Sequence, residues 1–328
     1  MSTNSTQTSL PVVAASQGPT TIAVSSVLLG LNAFFIGLRC YSRGIAKRFN
    51  FNDVFMIIAV FIYGGLLALL ILGVQNGIGS HTTSATLKGI GNSLKFIFFL
   101  EIIYVVLTSI MKASLAITLL QWAKVKWHIY MLQAAILIDA IICIVVVEYF
   151  LVQCAPISYT WELIDPTKKG VCLPATQEIA VGFALSGTTV SLDMIFLFAP
   201  FYMLRGRGVN KTLKMYIYGI FGLGVLASIA NFIRLATLAK LKASTDPLFD
   251  AAPVFLWSAA EVSIGISVAG ILELRPLMQR FQVKGFEAPF DQLADDRIPI
   301  RLQSMDKSTT GFSAREDIRN QGLDGRRF

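Results

Sequence analysis

Seven stretches of this sequence are apolar for long enough to cross a bilayer, and that fact decides its solvent. They lie near 20–39, 54–74, 94–120, 128–152, 178–204, 213–239 and 252–277. A helix rising 1.5 Å per residue needs about twenty residues to span a hydrocarbon core of ~30 Å. Only helices and closed barrels satisfy the backbone in that medium, and continuous runs of this length read as helices. Hydrophobic residues make up 54% of the 328 and charged ones 15%, against about 25% charged in an ordinary soluble domain. Mean hydropathy is +0.63. The expected fold is therefore all-α, a bundle of seven transmembrane helices.

The polar segments set the expected orientation. Residues 1–19 form a Ser/Thr-rich tail without Lys or Arg. It lacks the charged start of a cleavable signal peptide, so the first helix is expected to be the insertion signal. Loop 39–52 carries Arg39, Arg43, Lys47 and Arg48; loop 121–127 carries Lys124 and Lys126; loop 205–212 carries Arg205, Arg207 and Lys211. The loops of the opposite side are poorer in basic residues near the helix ends: Lys88, Lys168, Lys169, Lys240 and Lys242. Positive charge collects on the cytoplasmic side, which puts the N-terminus outside and the C-terminus in the cytoplasm. The division is an extracellular tail (1–19), a membrane domain (20–280) and a cytoplasmic tail (281–328), both tails expected to be largely disordered. The net charge of +8 then answers anionic lipid rather than nucleic acid, because no basic patch is interleaved with aromatics.

Local signals place helix ends and contacts. Asn52 and Asp53 suit the start of the second helix, and Asp250 with Pro253 the start of the seventh. Pro200 is expected to bend the fifth helix. Gly219, Gly222 and Gly224 would let the sixth approach a neighbour closely. No internal repeat supports an inverted-repeat transporter.

The cysteines are Cys40, Cys143, Cys154 and Cys172, and the histidines are His81 and His128. None has metal-ligand spacing, so no metal site is expected. Cys154 and Cys172 bracket the longest outside loop and, if oxidised within one chain, pair with each other. The alternative is two free thiols, and the oxidising outside compartment favours the bond. Asn4-Ser5-Thr6 is a glycosylation sequon on the outside tail. Asn210-Lys211-Thr212 also matches but is expected to stay bare inside. Cys40, beside the inner surface, is either a plain thiol or a palmitoylation site.

Ionisable residues within the spans are costly and must face inward. Glu101, Tyr104, Thr108 and Lys112 share one face of the third helix. By rise per residue, Glu101, Arg234 and Glu261 lie ~10 Å below the outer surface, whereas Asp193 and Lys112 lie ~22 and ~27 Å deep. The expectation is an outer polar layer of Glu101, Tyr104, Arg234, Trp257 and Glu261, with Glu148 shallower still, and an inner pair, Lys112 and Asp193. Asp139 is near mid-membrane with no partner assigned. The functional reading makes the outer layer a ligand pocket open to the outside and the inner pair a two-state latch; the plainer reading is that these charges only lock helices together.

Several stretches together resemble the fungal rhodopsin-domain family of seven-helix, receptor-like proteins. They are Leu94-Lys95, Glu101-Ile102-Ile103-Tyr104, Lys112-Ala113-Ser114-Leu115, Cys154-Ala155-Pro156 with Trp161 and Gly170-Val171-Cys172, Asp193 before Pro200, and Arg234 before Asp246-Pro247, Trp257-Ser258 and Glu261. The resemblance covers residues 22–282. It implies a receptor-like role: some members are linked to surface sensing during host infection, and others sit in secondary-metabolite gene clusters, the satratoxin cluster among them. The family often opens its second helix with paired aspartates, where this chain has Asn52-Asp53. The cysteine-rich outside domain of some members is absent from the N-tail.

No cofactor is expected. A retinal pigment needs a buried lysine, normally in the last helix, and the span 252–277 has none. Asp-Arg-Tyr after the third helix and Asn-Pro-x-x-Tyr in the seventh, the animal-receptor signatures, are missing. No nucleophile–base pair suggests an enzyme. The reading is a receptor-like sensor of an extracellular or membrane-borne small molecule, placed in the plasma membrane, with lipids, that ligand and a cytoplasmic signalling protein as partners. The alternative is a transporter or accessory membrane protein of a secondary-metabolite pathway.

Overall fold

The computed structural model describes residues 16–274, apart from 47–49, 85, 124, 205–210 and 243, together with Met278. Asn4, the inner-loop residues Lys47, Arg48, Lys124, Arg205 and Arg207, Asn210 and the tail 281–328 lie outside the described residues. Two compact units divide the chain at Pro276, and everything below concerns the first.

Six of the seven expected spans fall within long helices and the seventh, expected to reach 277, overlaps one that ends at Leu272: α1 (Gly18–Ala46), α2 (Phe51–Asn76), α3 (Leu87–Trp122), α4 (Lys126–Val152), α6 (Ala175–Leu204), α7 (Lys211–Lys242) and α8 (Pro247–Leu272), with a single-turn α5 (Tyr159–Glu162) between α4 and α6. Among the described residues, six of them are long and apolar enough to cross a membrane; α6 contributes a shorter apolar stretch, Gly187–Tyr202. Large apolar side chains such as Val27, Phe34, Phe61, Leu137, Ile144 and Tyr218 point away from the bundle. Water would not tolerate so wide an apolar exterior, but lipid does. The chain is a multi-pass membrane protein. Below, the end carrying the α2–α3 and α4–α6 connections is called outer and the opposite end inner, following the loop charges.

α8 is the central helix. Its apolar window is 67% buried, whereas that of α4 is 11% buried. One cluster, including Ile36, Met56, Tyr63, Leu70, Leu107, Phe255 and Ile266, joins α1, α2, α3 and α8. A second, including Leu119, Leu132, Leu192 and Phe196, joins α3, α4 and α6. A third, Ile220, Val268 and Leu272, holds α7 against α8. At the outer end Gly79, with φ +85°, accepts a hydrogen bond from Gln17 N at 3.0 Å and donates one to Leu248 O at 2.8 Å. A Cβ there would sit 2.6 Å from the Gly18 nitrogen, so this turn needs glycine to pin α1, α2 and α8 together.

Cys154 and Cys172 form a disulfide. They face each other in a two-stranded antiparallel ribbon, β1 (Cys154–Ala155) with β2 (Val171–Cys172). Trp161 of α5 rests on Phe98 of α3, ring centres 5.6 Å apart, and lies under the Lys95 ammonium.

Several local expectations are corrected. α2 begins after Asn50, not at Asn52: Asp53, in the first turn, accepts the Asn50 N–H at 2.9 Å, while Asn52 turns inward. α8 begins at Pro247 after Asp246, which leaves Asp250 in its first turn and Pro253 inside it. The missed signal was Asp246-Pro247, a proline-at-first-position start one turn earlier. Of the three glycines in α7, Gly224 alone meets a neighbour, Leu197; Gly219 and Gly222 face open space, because they lie on the side of α7 away from α6 and α8.

Candidate functional site

Inside the bundle the polar side chains of α3, α4, α6, α7 and α8 converge on one seam. Lys112 Nζ lies 3.0 Å from Asp193 Oδ1, as expected of the inner pair. Asp193 Oδ2 also accepts a hydrogen bond from Asn231 Nδ2 at 2.7 Å. One turn along α7 from Asn231, Arg234 Nε lies 3.2 Å from Glu261 Oε2. The same oxygen accepts the Tyr104 hydroxyl at 2.8 Å, and the guanidinium lies 4.8 Å from the centre of the Tyr104 ring. Behind Lys112, Ser109 Oγ donates to Asp139 Oδ2 at 2.7 Å, which supplies Asp139 with a partner.

The two expected layers therefore adjoin on neighbouring turns of α7, Asn231 in the inner group and Arg234 in the outer. α3 starts at Leu87 and α8 at Pro247, so both run farther outward than the apolar runs suggested. Tyr104, Arg234 and Glu261 meet as expected. Glu101, one turn before Tyr104 on α3, is half-buried. Trp257, one turn before Glu261, is half-buried. Glu148 does not join: its side chain is exposed on the outer part of α4.

A cavity of about 70 Å³ opens beside this seam, on the inner side. Lys112, Asp193 and Glu261 cap it, and it runs toward Leu119, Pro200 and Leu272 near the inner helix ends. The rest of its lining is almost wholly apolar, including Met111, Phe196 and Phe221. Of the expected outer layer Glu261 lines this cavity, while Tyr104 and Arg234 border a smaller space of about 20 Å³ with Asp139 and Thr108. Gly224, Ala227 and Gly265 leave the larger one its room.

The second buried charge cluster was not anticipated. Arg39 is wholly buried, its Nε 2.8 Å from Asp53 Oδ1 and its Nη1 2.9 Å from the carbonyl of Ala269. Arg43 pairs with Glu273 Oε2. Glu273 Oε1 accepts the Thr118 hydroxyl at 3.1 Å, and Asn52 links Thr118 to Ser114. Arg39 and Arg43 were counted as inner-loop charges, but α1 extends to Ala46 and carries them into the bundle. The signal was there: Ser25, Asn32 and Arg39, spaced by seven, share one face, and all three are buried. Asn32 accepts from Ser263 at 3.0 Å.

With helices and charges in place, comparison with known proteins settles the family. The fungal rhodopsin domain matches residues 38–280. The chain belongs to that family. A relative, "Fugralins biosynthesis cluster protein 2" of Gibberella zeae, is 27% identical over 118 residues, covering 35% of this chain and 28% of the relative's length. The chain thus spans well under a third of that protein. No solved structure matches.

Proposed function

We propose that the chain is a receptor-like sensor with seven membrane-spanning helices, its N-terminus outside and its C-terminus cytoplasmic, acting in the plasma membrane on a small molecule that is extracellular or membrane-borne. The carrying observation is the seam itself: two ion-paired groups on neighbouring turns of α7, Lys112–Asp193–Asn231 and Arg234–Glu261, together join α3, α6, α7 and α8 at the rim of a cavity. An occupant that altered Asp193 or Glu261 would change how α7 pairs with its neighbours, which is what coupling a site to a cytoplasmic signalling protein requires. The role is non-enzymatic and uses no retinal, since Lys112 is engaged by Asp193 and α8 carries no lysine. Asn4 would carry a glycan on the outside tail.

Two experiments test this. Leu87→Cys should react with a membrane-impermeant thiol reagent on intact cells, and Trp127→Cys only after permeabilisation; the reverse pattern overturns the orientation. Deletion of the gene should shift cyclic-nucleotide levels, and Lys112→Ala that folds but signals normally overturns the coupling role of the seam. The printed name of the relative favours a second reading, an accessory or transport protein of a secondary-metabolite pathway. Transport by the purified protein in proteoliposomes would favour it.

A further inference from the structure

The seam is unbalanced in a way that describes what it would bind. Two cations, Lys112 and Arg234, share it with three carboxyl groups, Asp139, Asp193 and Glu261. Glu261 is 3% exposed, yet its Oε1 accepts no hydrogen bond. Asn231 Oδ1, also buried, is unpartnered too. Both are acceptors, and a buried acceptor without a donor is costly; Arg234 Nε also makes no hydrogen bond, but it lies 3.2 Å from Glu261 Oε2. Glu261 belongs to the wall of the larger cavity, whose lining apart from Lys112, Asp193 and Ser228 is apolar. The missing component is thus a donor, N–H or O–H, carried on an apolar body.

The cavity wall also shows a way in. From α3 and α8 come buried residues, Met111, Lys112, Glu261, Gly265 and Val268. From α6 and α7, beside the buried Phe196, Pro200, Ile220 and Ser228, come all the half-buried ones except Leu115, among them Leu197, Phe221 and Ala227. Phe221 continues outward into rings that face the surroundings of the bundle, Phe198 at 6.0 Å and Phe201 at 5.6 Å. The thin wall faces the bilayer.

We propose that this cavity binds a hydrophobic amphiphile whose head is an amine or hydroxyl donor, entering from the bilayer between α6 and α7 and donating to Glu261. This rests on reading the cavity as the sensor's ligand site and adds the ligand's chemical class and route. A carboxylate head is disfavoured, because it would bring another negative charge to carboxyl groups already in excess.

The test uses the full chain in lipid nanodiscs and three photoreactive probes with the same diazirine-bearing decyl chain: decylamine, decanol and decanoate. The amine and alcohol should label Met111, Leu197 or Phe221 and be competed by unlabelled decylamine, while decanoate labels only lipid-facing residues. Glu261→Gln should weaken amine binding by roughly tenfold or more, the worth of a hydrogen bond to a charged group, and spare the alcohol. Gly265→Ala, whose new methyl meets the end of the Met111 side chain and pushes it into the cavity, should reduce labelling by both. An intact Cys154–Cys172 bond and a cooperative melting transition certify that each variant is folded. Equal labelling by all three heads, or amine labelling indifferent to Glu261→Gln, overturns the proposal. Specific labelling without any cyclic-nucleotide response would keep the binding site and overturn the sensor reading; a response on deletion without labelling would do the opposite.

Discussion

The bundle contains two buried charge clusters that differ in balance and in packing. At the inner end Arg39 and Arg43 face Asp53 and Glu273, cation for carboxylate, and the guanidinium nitrogens that make no hydrogen bond still lie within 4 Å of a carboxylate, at 3.7 and 3.9 Å. In the seam carboxyl groups outnumber cations, Glu261 Oε1 is unpartnered, and a cavity adjoins it. The first arrangement is closed and joins α1, α2, α3 and α8. The second leaves a position for something else. Buried ions of equal cost can therefore serve as a fastening in one place and as half of a binding site in another.

The contrast can be broken most easily at its closed end. Arg39→Ala leaves two buried carboxylates, Asp53 and Glu273, to share the single cation Arg43, and should cost about 3–5 kcal/mol. Thermal unfolding in detergent checks this, and an Arg39→Ala protein as stable as the parent would remove the fastening role. Breaking the disulfide with Cys154→Ser should cost about 3 kcal/mol, on the chain-entropy account, and should leave both clusters intact. Its check is the melting temperature with and without reductant, which should move the parent and leave the variant alone.

A smaller effect is expected in the seam. Lys112→Ala and Asp193→Ala should show a coupling of about 0.5–3 kcal/mol in a double-mutant cycle. Each single change should cost less than Arg39→Ala, because water can enter the adjoining cavity. A coupling near zero would mean that the pair does not act as a unit.

The smallest effect lies outside both clusters. Asp246, hydrogen-bonded by His81 at 3.2 Å and by the Thr82 N–H at 3.2 Å, is held below the usual carboxylate range, chiefly by the His81 contact. Because its folded value is depressed, its contribution is present above the ordinary aspartate range and is lost as pH falls through the lowered value. Amide exchange at Thr82 should quicken on acidification in the parent, and Asp246→Asn should abolish that pH dependence.

Legibility in the sequence followed periodicity and depth. The helices, the Lys112–Asp193 pair and the meeting of Tyr104, Arg234 and Glu261 could be read from apolar runs and residue counts, because a charge in a span has few places to find a partner. Cys154 and Cys172 were legible from topology. The fastening was not, because Arg39 and Arg43 were credited to a loop once the apolar run ended, although four-residue spacing puts them on one helical face. The inner cavity was not legible for a different reason. Charges mark where polarity is, whereas space depends on small residues, and Gly224, Ala227 and Gly265 gather on the inner side only after folding.

The direct measurement is paired thermal unfolding of Glu273→Gln and Glu261→Gln in lipid nanodiscs without added ligand. Glu273→Gln uncovers two buried guanidinium groups and should destabilise by about 3 kcal/mol or more. Glu261→Gln takes the charge from the partner of buried Arg234 but keeps an acceptor for Tyr104, and water can enter the adjoining cavity, so it should cost clearly less than Glu273→Gln. Equal losses in the two variants would contradict the division between a closed fastening and an open site.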